Sequence, residues 1–292
     1  MAISDNLRGA IYMNIAMLAF TLGDSCMKAV TQTQPLYQTM LLRGILTTSV
    51  LFGLAWATGA LRARVGGRDV AMLGWRVVGE IGSTITFFLA LMQMPLANLS
   101  AVMQFVPLAV TLAAALFLRE PLGWRRLSAI FVGFLGVLLI IRPGTSGFDI
   151  WSVVGLASVG FVVLRDLSTR KLSRAVPSAL VALTASVSVT LMGGVGALFQ
   201  GWQAVGGWEA LLIVAAACNL IIGYLTVVMV MRVGDLGFIA PFRYTALLWA
   251  ILLGWLAFDT LPDGWTIAGA AIVVATGIFA LLRERRLARG RG

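Results

Sequence analysis

Several ionisable and amide side chains stand inside otherwise apolar runs of this chain: Asp24, Arg43, Glu80, Gln104, Arg165, Asp166, Asn219 and Arg243. An ionised group in an apolar membrane interior costs about 2.5–3.5 kcal/mol on insertion scales, so each one needs a partner or a function. Arg243 is the most informative. A guanidinium facing a wet cavity can hold a substrate carboxylate through two parallel hydrogen bonds; equally, it can serve as the internal partner of Glu80. Glu80 has a third reading as a protonatable coupling site, since burial without a partner raises a carboxylate's pKa. Asp24 and Arg43 read as a structural ion pair locking the first two helices, in preference to a substrate contact. Arg165 and Asp166 read as a gate or helix-end contact. Gln104 and Asn219 are ordinary interhelical hydrogen-bonding groups that could also complete a polar floor. Asn14, Ser83, Phe87, Tyr224, Tyr244 and Trp249 could add hydrogen bonds and aromatic wall to the same cavity.

Covalent chemistry has little to work with. There is no histidine, which removes the commonest general base and the commonest metal ligand together. No nucleophile motif, clustered metal carboxylates, Walker loop or dinucleotide fingerprint is present. An enzyme is therefore not expected, and neither are a catalytic residue, a metal, a cofactor or an ATP-driven motor. Cys26 and Cys218 both lie in apolar stretches and form no disulfide framework.

The elements that must hold these residues are membrane helices. The chain is 292 residues long, 60% hydrophobic and 12% charged, with a mean hydropathy of +0.94. A soluble domain carries about a quarter charged residues, so this surface must be solvated by lipid. Apolar runs fall at roughly 10–27, 36–58, 70–92, 97–118, 127–142, 150–168, 177–199, 208–231, 236–258 and 265–282, against about 20 residues needed per crossing. The fifth, sixth and tenth are short. The Arg8-bearing start reads as a first spanning helix, not a removable signal peptide. Ten crossings place both termini on one side. That side collects Arg8, Arg62, Arg64, Arg68, Arg119, Arg125, Arg126, Arg165, Arg170, Lys171, Arg174, Arg232, Arg283, Arg285, Arg286, Arg289 and Arg291, whereas the other has only Lys28 and Arg142. This asymmetry predicts cytoplasmic termini and accounts for the net charge of +10 without a nucleic-acid partner. Trp56, Trp75, Trp124, Trp202, Trp208 and Trp265 fall near helix ends, as an interfacial belt does.

The chain also repeats. Glu120-Pro-Leu-Gly-Trp124 resembles Asp259-Thr-Leu-Pro-Asp-Gly-Trp265, and Gly136 and Gly277 follow the two tryptophans at equal distance. Asp24, Lys28 and Pro35 recur as Asp166, Arg170 and Pro177 at an offset of 142, and Glu80 and Gln104 fall opposite Asn219 and Arg243 at 139. Five spans per half is an odd number, so the second half enters the membrane from the opposite side. The expected fold is all-α, with ten transmembrane helices in two inverted five-helix repeats, 1–145 and 146–292.

The segment from Glu120 to Ile140, an acidic residue, a short loop and a glycine-spaced helix, resembles the pattern that ends each half in the drug/metabolite transporter superfamily, in its ten-helix EamA-type branch. Arg43 after Pro35 is similar to that family's usual arginine. Ala185 stands where a second copy of that arginine would be. The resemblance implies a cavity lined by the third, fourth, eighth and ninth helices, with the first and sixth beside it and the fifth and tenth at the periphery. Within the superfamily the chain is most similar to the YddG-type exporters of aromatic and other neutral amino acids. The expectation is thus a secondary exporter of amino acids or similar small metabolites, working by alternating access, as a monomer in a bacterial inner membrane. Its partners would be the small-molecule substrate, membrane lipid and protons as coupling ion. A multidrug or cationic-compound exporter with Glu80 as counter-charge is the alternative; a membrane enzyme is the remote one.

Overall fold

The computed structural model describes residues 5–120, 122–144, 149–173, 175–230, 233 and 236–289, without the side chains of 236–237 and 284–289. Pro121 of the repeated motif and Arg174, Arg232 and Arg291 of the basic set lie outside the described residues, as do the side chains of Arg285, Arg286 and Arg289.

Ten helices are long and apolar enough to cross a membrane among the described residues. They are α1 (Asp5–Val30), α2 (Leu36–Ala57), α3 (Gly67–Gln93), α4 (Leu96–Leu118), α5 (Trp124–Ile141), α6 (Ile150–Arg170), α7 (Ser178–Gln200), α8 (Gly207–Val230), α9 and α10 (Gly264–Arg289). α9 is built from Leu236–Ile239, a 3-10 turn Ala240–Tyr244 and Thr245–Phe258. A helix satisfies its own backbone in lipid, which is why apolar runs of this length take that form. Pro35, Pro95 and Pro177 stand just before α2, α4 and α7, where a missing N–H costs nothing and φ is already set. Of the three runs expected to be short, α5 stays at 18 residues, whereas α6 reaches 21 and α10 runs on into the basic tail. The six belt tryptophans are all between 55 and 73% exposed, as lipid-interface anchors are.

The packing is two-fold. α3 lies along α6 and α1 along α8, while α2 faces α7, α4 faces α9 and α5 faces α10. Shifting each helix by five turns the first contact into the second and maps the other three onto themselves. The relation extends to residues. The Phe161 ring seats on Gly82 and the Phe20 ring on Gly223, each so closely that an added Cβ would meet the ring at 2.4 Å; both members differ by 141 in number. Thr48 and Thr190, equivalent at 142, meet hydroxyl to hydroxyl at 3.0 Å, and Thr48 also reaches Ser186 at 2.7 Å. The pseudo-axis passes between these threonines. Gly136 departs from its sequence pairing: its close approach is to Gly269, not to Gly277. A Cβ on Gly269 would lie 2.5 Å from the Gly136 carbonyl oxygen, while Gly277 makes room for the Tyr244 hydroxyl.

One side of the bundle is sealed. Met27, Val30, Leu36, Met40, Leu91, Met94, Leu96 and Leu99, at the α1–α2 and α3–α4 turns, are each no more than 2% exposed. Lys28 Nζ donates to the carbonyls of Leu91 (2.5 Å) and Met94 (2.9 Å), placing a cation at the end of α3, where the helix dipole favours it. Gln38 pairs both ways with the Gln203 backbone at 2.8 Å. On this face Asp263 accepts from the Thr266 N–H at 2.9 Å and from Arg142. Slight desolvation pushes its carboxyl up, but these donors outweigh it and hold it below the usual carboxylate range.

Candidate functional site

The site is positioned by two interrupted helices. Pro107 lacks an N–H and crowds the carbonyl four residues back, so α4 breaks into Leu96–Met103 and Val106–Leu118 with Gln104 at the break. Pro241 falls in the 3-10 turn of α9, which carries Arg243. Irregular backbone at membrane depth is tolerated where it is buried in protein or lines a cavity, and broken helices mark binding sites in transporters. Gln104 and Arg243, counterparts in the repeat, both fall at these breaks.

A two-lobed cavity lies beside them, behind the seal. The first lobe, about 220 Å³, is bounded by Asp24, Arg43, Glu80, Ser83, Phe87, Arg165 and Tyr224 among the expected residues, with Thr47, Phe88, Ser158 and Ser186 added. The second, about 290 Å³, is bounded by Asp24, Phe87, Gln104, Arg165, Asp166 and Arg243, with Phe20, Thr21 and Ser100 added. Asp24, Phe87, Met103, Val162 and Arg165 belong to both, so the lobes are contiguous; together they are of the size of small-ligand pockets. On the side of the termini the walls keep accessible groups, with Tyr224 38% exposed, the Arg165 side chain 29% exposed and Arg243 exposed. α5 and α10 line neither lobe, as the resemblance implies, but α2 and α7 contribute directly through Arg43, Thr47 and Ser186.

The charges pair differently from the sequence expectation. Glu80 does not reach Arg243. Its Oε2 accepts from Arg76 Nη1 at 2.8 Å, one helical turn away, and its Oε1 lies 3.6 Å from Arg165 Nη1. Arg165 Nε donates to Asp166 at 3.0 Å. The α3–α6 crossing permits this, because Gly79 lets the Arg165 backbone come within 2.7 Å of where a Cβ would be. Arg76 was legible as an i,i+4 partner of Glu80, yet sequence reasoning left it out of the site. Asp24 and Arg43 line the same lobe without an ion pair within 4.0 Å or a hydrogen bond among the described residues. Arg43 instead lays its guanidinium over the Phe88 ring, 5.1 Å from the centroid. Asp24 and Arg43 therefore attract each other across the lobe they share without a direct ion-pair contact.

Four expected residues stand away from the lobes. Trp249 Nε1 donates to Asn14 at 2.9 Å, so these two satisfy each other between α9 and α1. Asn219 returns its amide to the Ala215 carbonyl at 2.9 Å on its own helix. Tyr244 is 5% exposed, with its ring edge against Gly277 and an apolar groove on its other side. Their helical phase, set by packing, points them elsewhere. Ser83 donates to the Glu80 carbonyl at 3.0 Å and receives Ser158 at 3.3 Å, tying α3 to α6 at the cavity wall. No group of metal-ligating side chains occurs among the described residues.

Comparison with known proteins agrees with this architecture. A pseudopaline exporter of Pseudomonas aeruginosa is 26% identical over 95% of this chain and 97% of its own length. A riboflavin transporter of Vibrio cholerae is 26% identical over 74% of each chain, and an S-adenosylmethionine uptake transporter of Rickettsia felis is 28% identical over 66% of this chain and 65% of its own. A crystal structure with 23% identity superposes with a TM-score of 0.66 over 96% of this chain and 98% of that one, a likeness of fold. Residues 7–142 match the EamA-like transporter family. The first half of the ten-helix bundle is thus similar to the EamA-like transporter family, and the relatives named for the chain are small-molecule transporters.

Proposed function

We propose that this protein is a secondary transporter of amino acids or similar small metabolites, exporting them from the cytoplasm by alternating access between two five-helix units, 1–145 and 146–292. It acts as a monomer in a bacterial inner membrane with both termini cytoplasmic, drawing on the substrate gradient or on protons. The observation carrying this reading is the cavity between the halves, closed behind the α1–α2 and α3–α4 turns and holding two arginines, Arg43 and Arg243, with no carboxylate bonded to them among the described residues. A guanidinium held this way is a carboxylate receptor. The named relatives include both an exporter and uptake transporters; export is proposed from the likeness to the exporter, which spans 95% of this chain.

The cationic-drug reading is disfavoured by the same geometry. Glu80, its counter-charge, is already held by Arg76 and Arg165. The test is counterflow in proteoliposomes with labelled amino acids, comparing wild type with Arg243→Ala and Arg243→Gln. The expected result is a loss of at least tenfold in both variants. Undiminished counterflow in both variants removes Arg243 from recognition, and counterflow of cationic dyes in place of amino acids favours the rival.

A further inference from the structure

The charges of the cavity divide into two sets. Arg76, Glu80, Arg165 and Asp166 form a chain of contacts at 2.8, 3.6 and 3.0 Å, two cations against two anions, and so neutralise one another. Asp24, Arg43 and Arg243 remain. None has a hydrogen bond or ion pair among the described residues, and all three face the cavity. Asp24 borders both lobes, Arg43 only the first and Arg243 only the second. One carboxylate therefore borders both lobes, with one guanidinium in each, and the three carry a surplus of one positive charge.

We infer that the cavity is built for a small ligand carrying one ammonium and two carboxylates, the acidic amino-acid class, with the ammonium at Asp24 and one carboxylate at each of Arg43 and Arg243. This rests on the transport reading and narrows its substrate. Unpartnered charges inside a membrane are costly, and a bound ligand relieves that cost only where it supplies the missing partners. A neutral zwitterion satisfies Asp24 and one arginine but leaves the other bare. A cation satisfies Asp24 and repels both arginines. A ligand of net charge −1 closes all three. Arg43 is prepared for the role, since stacking on Phe88 occupies the face of its guanidinium and leaves the N–H edge for a carboxylate fork. Burying a polar ligand group against a site group that lacks its partner is what gives such sites their discrimination.

Three probes separate the possibilities on the full-length purified protein: L-glutamate, L-glutamine and glutarate, which lacks the ammonium. Each is measured by counterflow in proteoliposomes and by thermal shift in detergent, with sodium chloride as the inorganic anion control. The expected result is an apparent affinity for glutamate at least tenfold above those for the other two. Arg43→Gln and Arg243→Gln should each bring the glutamate-to-glutamine ratio near one, and Asp24→Asn should bring glutamate level with glutarate. Wild type that treats glutamine as well as glutamate, or that chloride stabilises as strongly as glutamate does, overturns the proposal while leaving transport intact. Glutamate-specific stabilisation without counterflow of any probe keeps the site and overturns transport instead. Should a variant fail to fold, the wild-type ranking of the three probes decides.

Discussion

Glu80 offers the sharpest energetic test of the cavity wall, because both of its oxygens are engaged. Arg76 Nη1 lies 2.8 Å from one and Arg165 Nη1 3.6 Å from the other, with side-chain exposures of 14, 29 and, for Glu80 itself, 10%. With charge centres about 4 Å apart and an effective dielectric constant of about 20, each attraction is worth about 4 kcal/mol before desolvation. Glu80→Gln removes both attractions and leaves two guanidinium groups facing one another. Only Arg165 retains another carboxylate, that of Asp166. Breaking a buried pair from one side costs about 3–5 kcal/mol, and the substitution should fall in that range. Arg76→Gln should cost less, since Glu80 keeps Arg165. The double variant should be less damaged than the sum of the two singles by about 1–3 kcal/mol, the usual coupling of groups in one network. Reversible unfolding in mixed micelles measures all three. A coupling below about 0.5 kcal/mol would refute the reasoning, because it would mean that water in the cavity screens the pair as if it lay on a surface.

Two further outcomes follow from the packing. Gly269→Ala drives a Cβ to 2.5 Å from the Gly136 carbonyl oxygen, a backbone atom that cannot step aside, so α5 and α10 must separate; a loss of about 1–3 kcal/mol in the same micelle assay is expected, and Gly53→Ala, with open space around it, should be near neutral. Lys28→Met removes the cation that closes the end of α3. Its repeat counterpart Arg170 is half-exposed and only 3.5 Å from Glu120, which makes Lys28 the engaged member of the pair in this conformation. In a Thr47→Cys protein with Cys26 and Cys218 replaced, Lys28→Met should raise labelling by an impermeant thiol reagent several-fold from the face opposite the termini. Unchanged labelling would show that the apolar seal alone holds that side.

Much of this architecture is one-dimensional information. Ten runs of apolar residues, the proline starts at Pro35 and Pro177, the crowding of arginines on one side and the recurrence of Asp24 as Asp166 are all visible before folding. The bilayer reads length, hydropathy and loop charge directly, and a helix in lipid closes its own hydrogen bonds. What the chain could not disclose is azimuth. Whether Glu80 meets Arg243 or Arg165 depends on how α3 rotates against α6, and that rotation is set by Gly79, Gly82 and the Phe161 ring that fills the space. The same rotation sends Tyr244 toward Gly277, joins Trp249 to Asn14 and leaves Asp24 and Arg43 apart, each facing the cavity. Hydropathy is a sum along the chain and survives any rotation about a helix axis; a charge's partner is fixed only when two helices have chosen their faces.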